Sequence, residues 1–196
     1  MIPSLPHLIL LFVLGGAFLH FLLAGGRTFV PSADDDRGAG WAQFSFVATG
    51  TVATWFVGLY LPIRLYNGIA SGVLLLSSLI LYEWARHVIW GRRFYLAWSG
   101  SVPESLCEEG PYAHIRHPIY ASYIIAFLAT LVALPTAVTL VVFIFNVALF
   151  AHAAFGDERD MSNSTLAAEY GQYKRRTGMF FPRIFTRRNS TGANGA

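Results

Sequence analysis

The chain has 196 residues, of which 55% are hydrophobic and 13% charged, and its formal net charge is +3. Soluble domains carry about 25% charged residues, so the composition excludes a soluble domain with an anchor attached, and so small and localised a charge gives no case for nucleic acid. One cysteine, Cys107, excludes an intramolecular disulfide, and no Cys/His spacing suits structural zinc, so no metal is expected.

Charged residues are absent from Met1 to Gly26, Gly38 to Ile63, Leu65 to Tyr82, and His117 to Gly156. A spanning helix needs about 20 mainly apolar residues. The gaps therefore predict an all-α membrane protein with about five crossings, at residues 4–24, 41–61, 68–90, 118–134 and 136–155. The first segment ends near Pro31-Ser32-Ala33, a weak cleavage-site pattern, but it lacks a basic n-region and its apolar run is too long for a signal peptide. It reads as a retained helix.

The first two crossings carry Gly15, Gly16, Gly25, Gly50 and Gly58, and the third opens on Gly68-x-x-x-Gly72. Small residues at this spacing are packing seams. Glu83, Arg86 and His87 follow at i, i+3 and i+4, so they share one helical face, and a self-neutralising pair outweighs a catalytic role there. His7, His20 and Asn146 lie inside crossings and read as helix–helix hydrogen-bonding residues. Residues 91–116 form a polar loop, with turns at Ser99 to Pro103 and at Gly110-Pro111. Its Phe94, Tyr95, Trp98 and Tyr112 argue against disorder.

Leu134-Pro135-Thr136 alone separates the fourth and fifth crossings, which must form a tight antiparallel hairpin. That hairpin returns Asp157 and Glu158 to the membrane face that bears Tyr120. Thr165 to Thr177 reads as a short amphipathic helix with Leu166, Tyr170, Tyr173 and Thr177 on one face. Ser164 or Thr165 would cap it, Lys174-Arg175-Arg176 suits its C-terminal dipole, and Gly178 ends it. Phe180-Phe181-Pro182 packs back on the membrane or the loop, and residues 186–196 read as a disordered tail. Three units result: helices in 1–90, a core in 91–185, and the tail. From Arg159 onward there are seven Lys/Arg against two acids, and the loop after the third crossing adds Arg92, Arg93 and Arg116. The positive-inside rule makes both regions cytoplasmic and the N-terminus opposite; the Asp34-Asp35-Asp36-Arg37 loop then faces the cytoplasm too.

The mouth of the hairpin concentrates the chemistry. Arg116 and His117 offer a fixed cation and an imidazole, and Pro118 forces His117 out of helical geometry while starting the next helix. Tyr112 and Tyr120 supply flat faces with hydroxyl tips, and Glu158 supplies a carboxylate across the hairpin. Ionisable groups at a membrane boundary are functional by default, though an interfacial aromatic and basic belt has the same composition.

Gly110-x-Tyr112-x-x-x-Arg116-His117-Pro118-x-Tyr120, then an apolar hairpin, the acidic pair Asp157-Glu158, Tyr170-x-x-Tyr173, and Pro182 after Thr177-Gly178, resembles the integral-membrane methyltransferases. This superfamily includes isoprenylcysteine carboxyl methyltransferases and phospholipid N-methyltransferases. The resemblance spans about residues 104–183; the first three crossings share only their hydrophobicity. It implies S-adenosylmethionine in a cytoplasmic pocket between the loop before helix 4 and the segment after helix 5. Leu106 and Cys107 would line the cofactor through backbone groups, Tyr112 would contact it, and His117, Pro118, Ile119 and Tyr120 would form the wall. Counting back from Tyr170 makes Glu158 the family carboxylate; counting forward from the acidic pair makes it Asp157. The first count needs no gap.

Glu158 suits the cofactor's ammonium, Arg116 or His117 its carboxylate, and aromatic faces its sulfonium. Arg116, His117 and Glu158 are accordingly the expected catalytic set. The implied reaction is methyl transfer to a lipid-like acceptor from the bilayer, first an isoprenylcysteine carboxylate. Alternatives are a phospholipid amine, a small thiol, or a non-catalytic scaffold or carrier. One departure bears on this choice: where the prenylcysteine branch commonly places Arg four residues before the key carboxylate, this chain has Ala154.

Overall fold

A computed structural model of the chain describes residues 5–28, 48–50, 52, 58–90 and 105–183. Within these, the regular elements are α1 (Leu5–Thr28), α2 (Leu65–Ile89), a 3-10 turn (Gly110–Ala113), α3 (Pro118–Ala133), α4 (Ala137–Ser162) and α5 (Ala167–Arg176). Among the described residues the structure is all-helical, apart from one isolated bridge between Ile115 and Gly178. The Pro31 to Ala33 pattern, the Asp34 to Arg37 loop, most of the expected crossing at 41–61, the stretch 91–104 with its Ser99 to Pro103 turn, and everything after Arg183 lie outside the described residues, as does the side chain of His7.

Three helices are long and apolar enough to cross a bilayer, with spans at Leu8–Gly25, Leu65–Ile89 and Ala137–Ser162. The chain is an integral membrane protein. At 1.5 Å per residue α4 is about 39 Å long against a hydrocarbon core of about 30 Å. Its end beyond Gly156, where the charges begin, therefore projects past the apolar layer. The expected crossing at 118–134 comes out shorter: α3 has 16 residues, about 24 Å. Pro118 sets its start, and Leu134, held extended at φ −130° and ψ 78° before Pro135, sets its end.

The turn between α3 and α4 is closed by a capping box. Thr139 N donates to Thr136 Oγ1 (3.2 Å) and Thr136 N to Thr139 Oγ1 (3.1 Å), while Thr139 Oγ1 also donates to the Leu134 carbonyl. The N–H groups of Thr136 and Thr139 are thus matched locally, which suits a connection at the edge of an apolar layer.

α2 and α3 pack most extensively, with the buried Ser78 hydroxyl donating to the Ser122 carbonyl at 2.7 Å. Rings fill the space among four helices: Phe21 of α1 lies 4.8 Å from Tyr82 and 5.2 Å from Tyr123, Phe18 lies 5.0 Å from Phe127, and Tyr123 lies 5.3 Å from Phe150. The expected seams are mixed. A Cβ on Gly50 or Gly58 would overlap Phe18 or Leu11 of α1, and one on Gly68 would touch Leu10, whereas Gly16 and Gly72 face nothing within 4 Å. His20 does bond between helices, 2.7 Å from Glu83, and Arg86 grips the same carboxylate at 2.5 and 2.9 Å. Asn146 does not: its amide donates to Val142 O in its own helix at 2.8 Å.

Candidate functional site

Pro118 bars His117 from helical geometry, and His117 stands at φ −124° and ψ 62° as the N-cap of α3. Before it, the 3-10 turn enters through Gly110 at φ +55°, the left-handed region that favours glycine. A Cβ there would also lie 2.7 Å from Val88 Cγ2 and 3.0 Å from the Trp84 ring nitrogen, so glycine lets the turn seat against α2. The entrance motif is thereby fixed to the helix bundle.

The hairpin brings the two ends together. Tyr120 donates a 2.8 Å hydrogen bond to Asp157 Oδ2, and Arg116 Nε donates to Glu158 Oε1 at 2.7 Å. These partners are separated by 37 and 42 residues. The tyrosine ring stacks on His117 (5.4 Å between centroids, 6° between planes) and on Phe150 (5.8 Å).

The C-terminal segment closes over this junction. Tyr170, Tyr173 and Thr177 are buried, as the amphipathic pattern predicts, and the Tyr173 hydroxyl donates to the Tyr112 carbonyl at 2.7 Å. Thr177 to Met179 runs beside the motif: Gly178 N donates to His114 O (3.1 Å), Arg116 N to Gly178 O (2.8 Å) and His117 N to Met179 O (3.1 Å). Gly178 is required here because a Cβ would collide with the Phe181 carbonyl. Phe180 packs back at 6.1 Å from His117, while Phe181 is exposed. The expected Ser164 or Thr165 cap is displaced: α5 starts at Ala167 with no side-chain cap, and Ser164 Oγ instead accepts from Leu166 N at 3.1 Å. Glu108 and Arg176 form a further tie between loop and α5.

Glu158 is the electrostatic centre. Its carboxylate meets Arg116 Nε at 2.7 Å, Lys174 Nζ at 2.5 Å and His117 Nε2 at 3.6 Å. The last separation is too long for a hydrogen bond, and His117 Nε2 is buried without a hydrogen-bond partner. Arg116 is anchored a second time by donating to the Thr177 carbonyl. Burial pushes the phenol of Tyr112 well above its usual value and raises Tyr170 and Tyr173 as well, so all three stay protonated donors at neutral pH.

The structure therefore gathers Arg116, His117, Tyr120 and Glu158 from the expected set. Pro118 is buried behind them, Cys107, Tyr112 and Ile119 belong to the apolar cluster beneath, and Leu106 is half-buried at its edge. Two more residues join: Asp157, which the sequence weighed as the alternative carboxylate, and Lys174, to which it gave no site role. Asp157 takes Tyr120, and Lys174 takes Glu158. Lys174 lies four residues after Tyr170, on the same helical face, so its spacing was a usable signal; the dipole role absorbed it. Among the described residues no group of three or more His, Cys, Asp or Glu is placed to hold a metal ion.

Residues 74–162 match the model of the isoprenylcysteine carboxyl methyltransferase (ICMT) family, from within α2 to the end of α4. This stretch of 89 residues, under half of the 196, is similar to that family of membrane methyltransferases. The ICMT-family match covers Arg116, His117, Tyr120, Asp157 and Glu158 and stops before the α5 roof. No curated protein and no solved structure matches the chain.

Proposed function

We propose that the chain transfers a methyl group from S-adenosylmethionine to a lipid-like acceptor, first among them an isoprenylcysteine carboxylate. The carrying observation is the Glu158 cluster: a buried carboxylate, a fixed guanidinium and an imidazole with an unpartnered buried nitrogen, joined across the hairpin beneath α5. That donor set suits a zwitterion, because Glu158 can take an ammonium while Arg116 and His117 can take a carboxylate. Members of the ICMT family are generally S-adenosylmethionine-dependent, which supports the same cofactor here.

S-Adenosylmethionine, when bound, supplies an electrophilic methyl on a sulfonium. The chain's own contribution is positional. Glu158 and Arg116 bind and orient, Tyr120 and His117 present ring faces suited to a sulfonium, and Tyr112, Tyr173 and Phe180 keep water from the junction. Displacement of this kind gains mainly from alignment and desolvation, with reacting atoms at roughly 3–3.5 Å. Leu106 and Cys107 serve as the cofactor loop. Positive-inside bias puts the site on the cytoplasmic side, with the acceptor entering from the bilayer.

One observation favours a second acceptor class. Ala154, one helical turn before Glu158, is completely buried, and His152 is exposed. No cation stands at that turn to grip an acceptor carboxylate, which suits a phospholipid amine or a small thiol.

Purified protein in detergent is expected to bind S-adenosylhomocysteine, and Glu158→Ala and His117→Ala are each expected to abolish that binding. A wild-type protein with no affinity sinks the proposal and leaves a scaffold or carrier. Membranes given methyl-labelled cofactor then separate the acceptors: base-labile ester for the carboxylate, stable headgroup label for the phospholipid, volatile label for the thiol.

A further inference from the structure

Three basic side chains surround Glu158, and they are not equivalent. Arg116 is buried with it, at 6% side-chain exposure against 4%, and is held again by the Thr177 carbonyl. His117 is fixed by its backbone bond to Met179 and by stacking on Tyr120. Lys174, beside Tyr170 at the edge of the buried face of α5, is 46% exposed and meets the carboxylate at 2.5 Å. A lysine ammonium is a compact point charge on a flexible stem and is readily rehydrated. Of the three, it alone can leave Glu158 without stranding a buried charge.

Resting on the proposed cofactor site, we propose that Lys174 is a tethered stand-in for the methyl donor's α-ammonium. It neutralises Glu158 while the donor is absent and withdraws into water when the donor binds. The chemistry of the two groups is the same: each is a primary ammonium directed at a carboxylate oxygen. Arg116 and His117 face Oε1 of Glu158 and Lys174 faces Oε2; a buried carboxylate oxygen left without a donor is costly, so Oε2 needs an internal donor between turnovers. The fixed Arg116 cannot swing away from Glu158, because its Nη1 is committed to the Thr177 carbonyl on the chain end that zips onto the motif. Lys174 can, and its release from Glu158 loosens α5 only at a surface-exposed contact. The donor therefore competes with the roof helix for one carboxylate.

The test is calorimetric titration of the full-length protein in detergent with S-adenosylhomocysteine and with its analogue lacking the α-amino group. Lys174→Met is expected to bind S-adenosylhomocysteine about three- to tenfold more tightly than wild type, the range set by losing a competitor in a half-exposed ion pair. Its affinity for the amino-lacking analogue should stay within about twofold, since that ligand contests nothing with the lysine. Lys174→Arg, which keeps the cation, should not tighten binding to either ligand. A merely structural lysine would shift both ligands together. Equal or weaker S-adenosylhomocysteine binding by Lys174→Met, with wild type binding normally, overturns the stand-in role and leaves the Glu158 site intact. Binding of neither ligand by wild type brings down the proposed cofactor site and this inference with it.

Discussion

Glu158 sits where α4 leaves the apolar layer, and its neighbours show how one carboxylate can be both structural and functional. Arg116 has no water to return to, so removing its partner leaves a buried cation held only by backbone carbonyls. Breaking a buried pair by deleting one side costs about 3–5 kcal/mol. Glu158→Gln keeps the shape and can still accept one bond from Arg116, so we expect the lower end, about 3 kcal/mol, read as a lower melting temperature in detergent. The same variant should lose S-adenosylhomocysteine binding. Asp157→Asn is the contrasting case: Tyr120 can still donate to the amide oxygen, so stability should hold within about 1 kcal/mol. If Asp157→Asn and not Glu158→Gln abolishes cofactor binding, the family carboxylate is Asp157. The sequence named both residues of this acidic pair without ranking them structurally. Adjacent positions on a helix point about 100° apart, and only the packed neighbours distinguish them.

At the scale of elements, the candidate site depends on a short parallel pairing between the motif and the chain after α5. Gly178 makes this possible by letting the backbone fold tightly against Phe181. Gly178→Ala should force that backbone apart, at a cost of about 1–3 kcal/mol typical of overpacking. Faster trypsin cleavage after Arg183 would report the released segment, and unchanged cleavage would show that the pairing does not hold it. The sequence assigned Gly178 to ending the helix, by the common preference for glycine after a C-terminus. The actual reason is a contact three residues ahead, which propensity cannot express. The amphipathic face of α5 was legible because a 3.6-residue period places Tyr170, Tyr173 and Thr177 together wherever the helix docks. What it docks on was not, since the partner stretch 112–117 lies some sixty residues earlier.

For the whole molecule, the governing fact is that α3 and α4 form an antiparallel pair with both functional ends on one side. A three-residue connection between two apolar helices permits little else. The fold places Tyr120 and Asp157 2.8 Å apart in accordance with it. We expect Ala137→Cys, at the turn, and Gln172→Cys, on α5, to react with a membrane-impermeant maleimide from opposite sides of sealed vesicles. Both positions are exposed, while the chain's own Cys107 is buried and gives little background. Labelling of both from one side would refute the hairpin's orientation across the bilayer.

Charge-free runs, proline positions and helical spacing are local properties, and they determined the helical class, the hairpin, the entrance motif and the buried face of α5. A nonpolar solvent leaves the backbone few alternatives, which is why so much of the architecture could be read from one sequence. The length of α3, the choice of Glu158 as the meeting point of three basic side chains, the Tyr120–Asp157 bond and the arrival of Lys174 were decided only in the tertiary structure. Each of these depends on distances between residues far apart in the chain, and such distances are set by how the helices pack rather than by what any segment prefers alone.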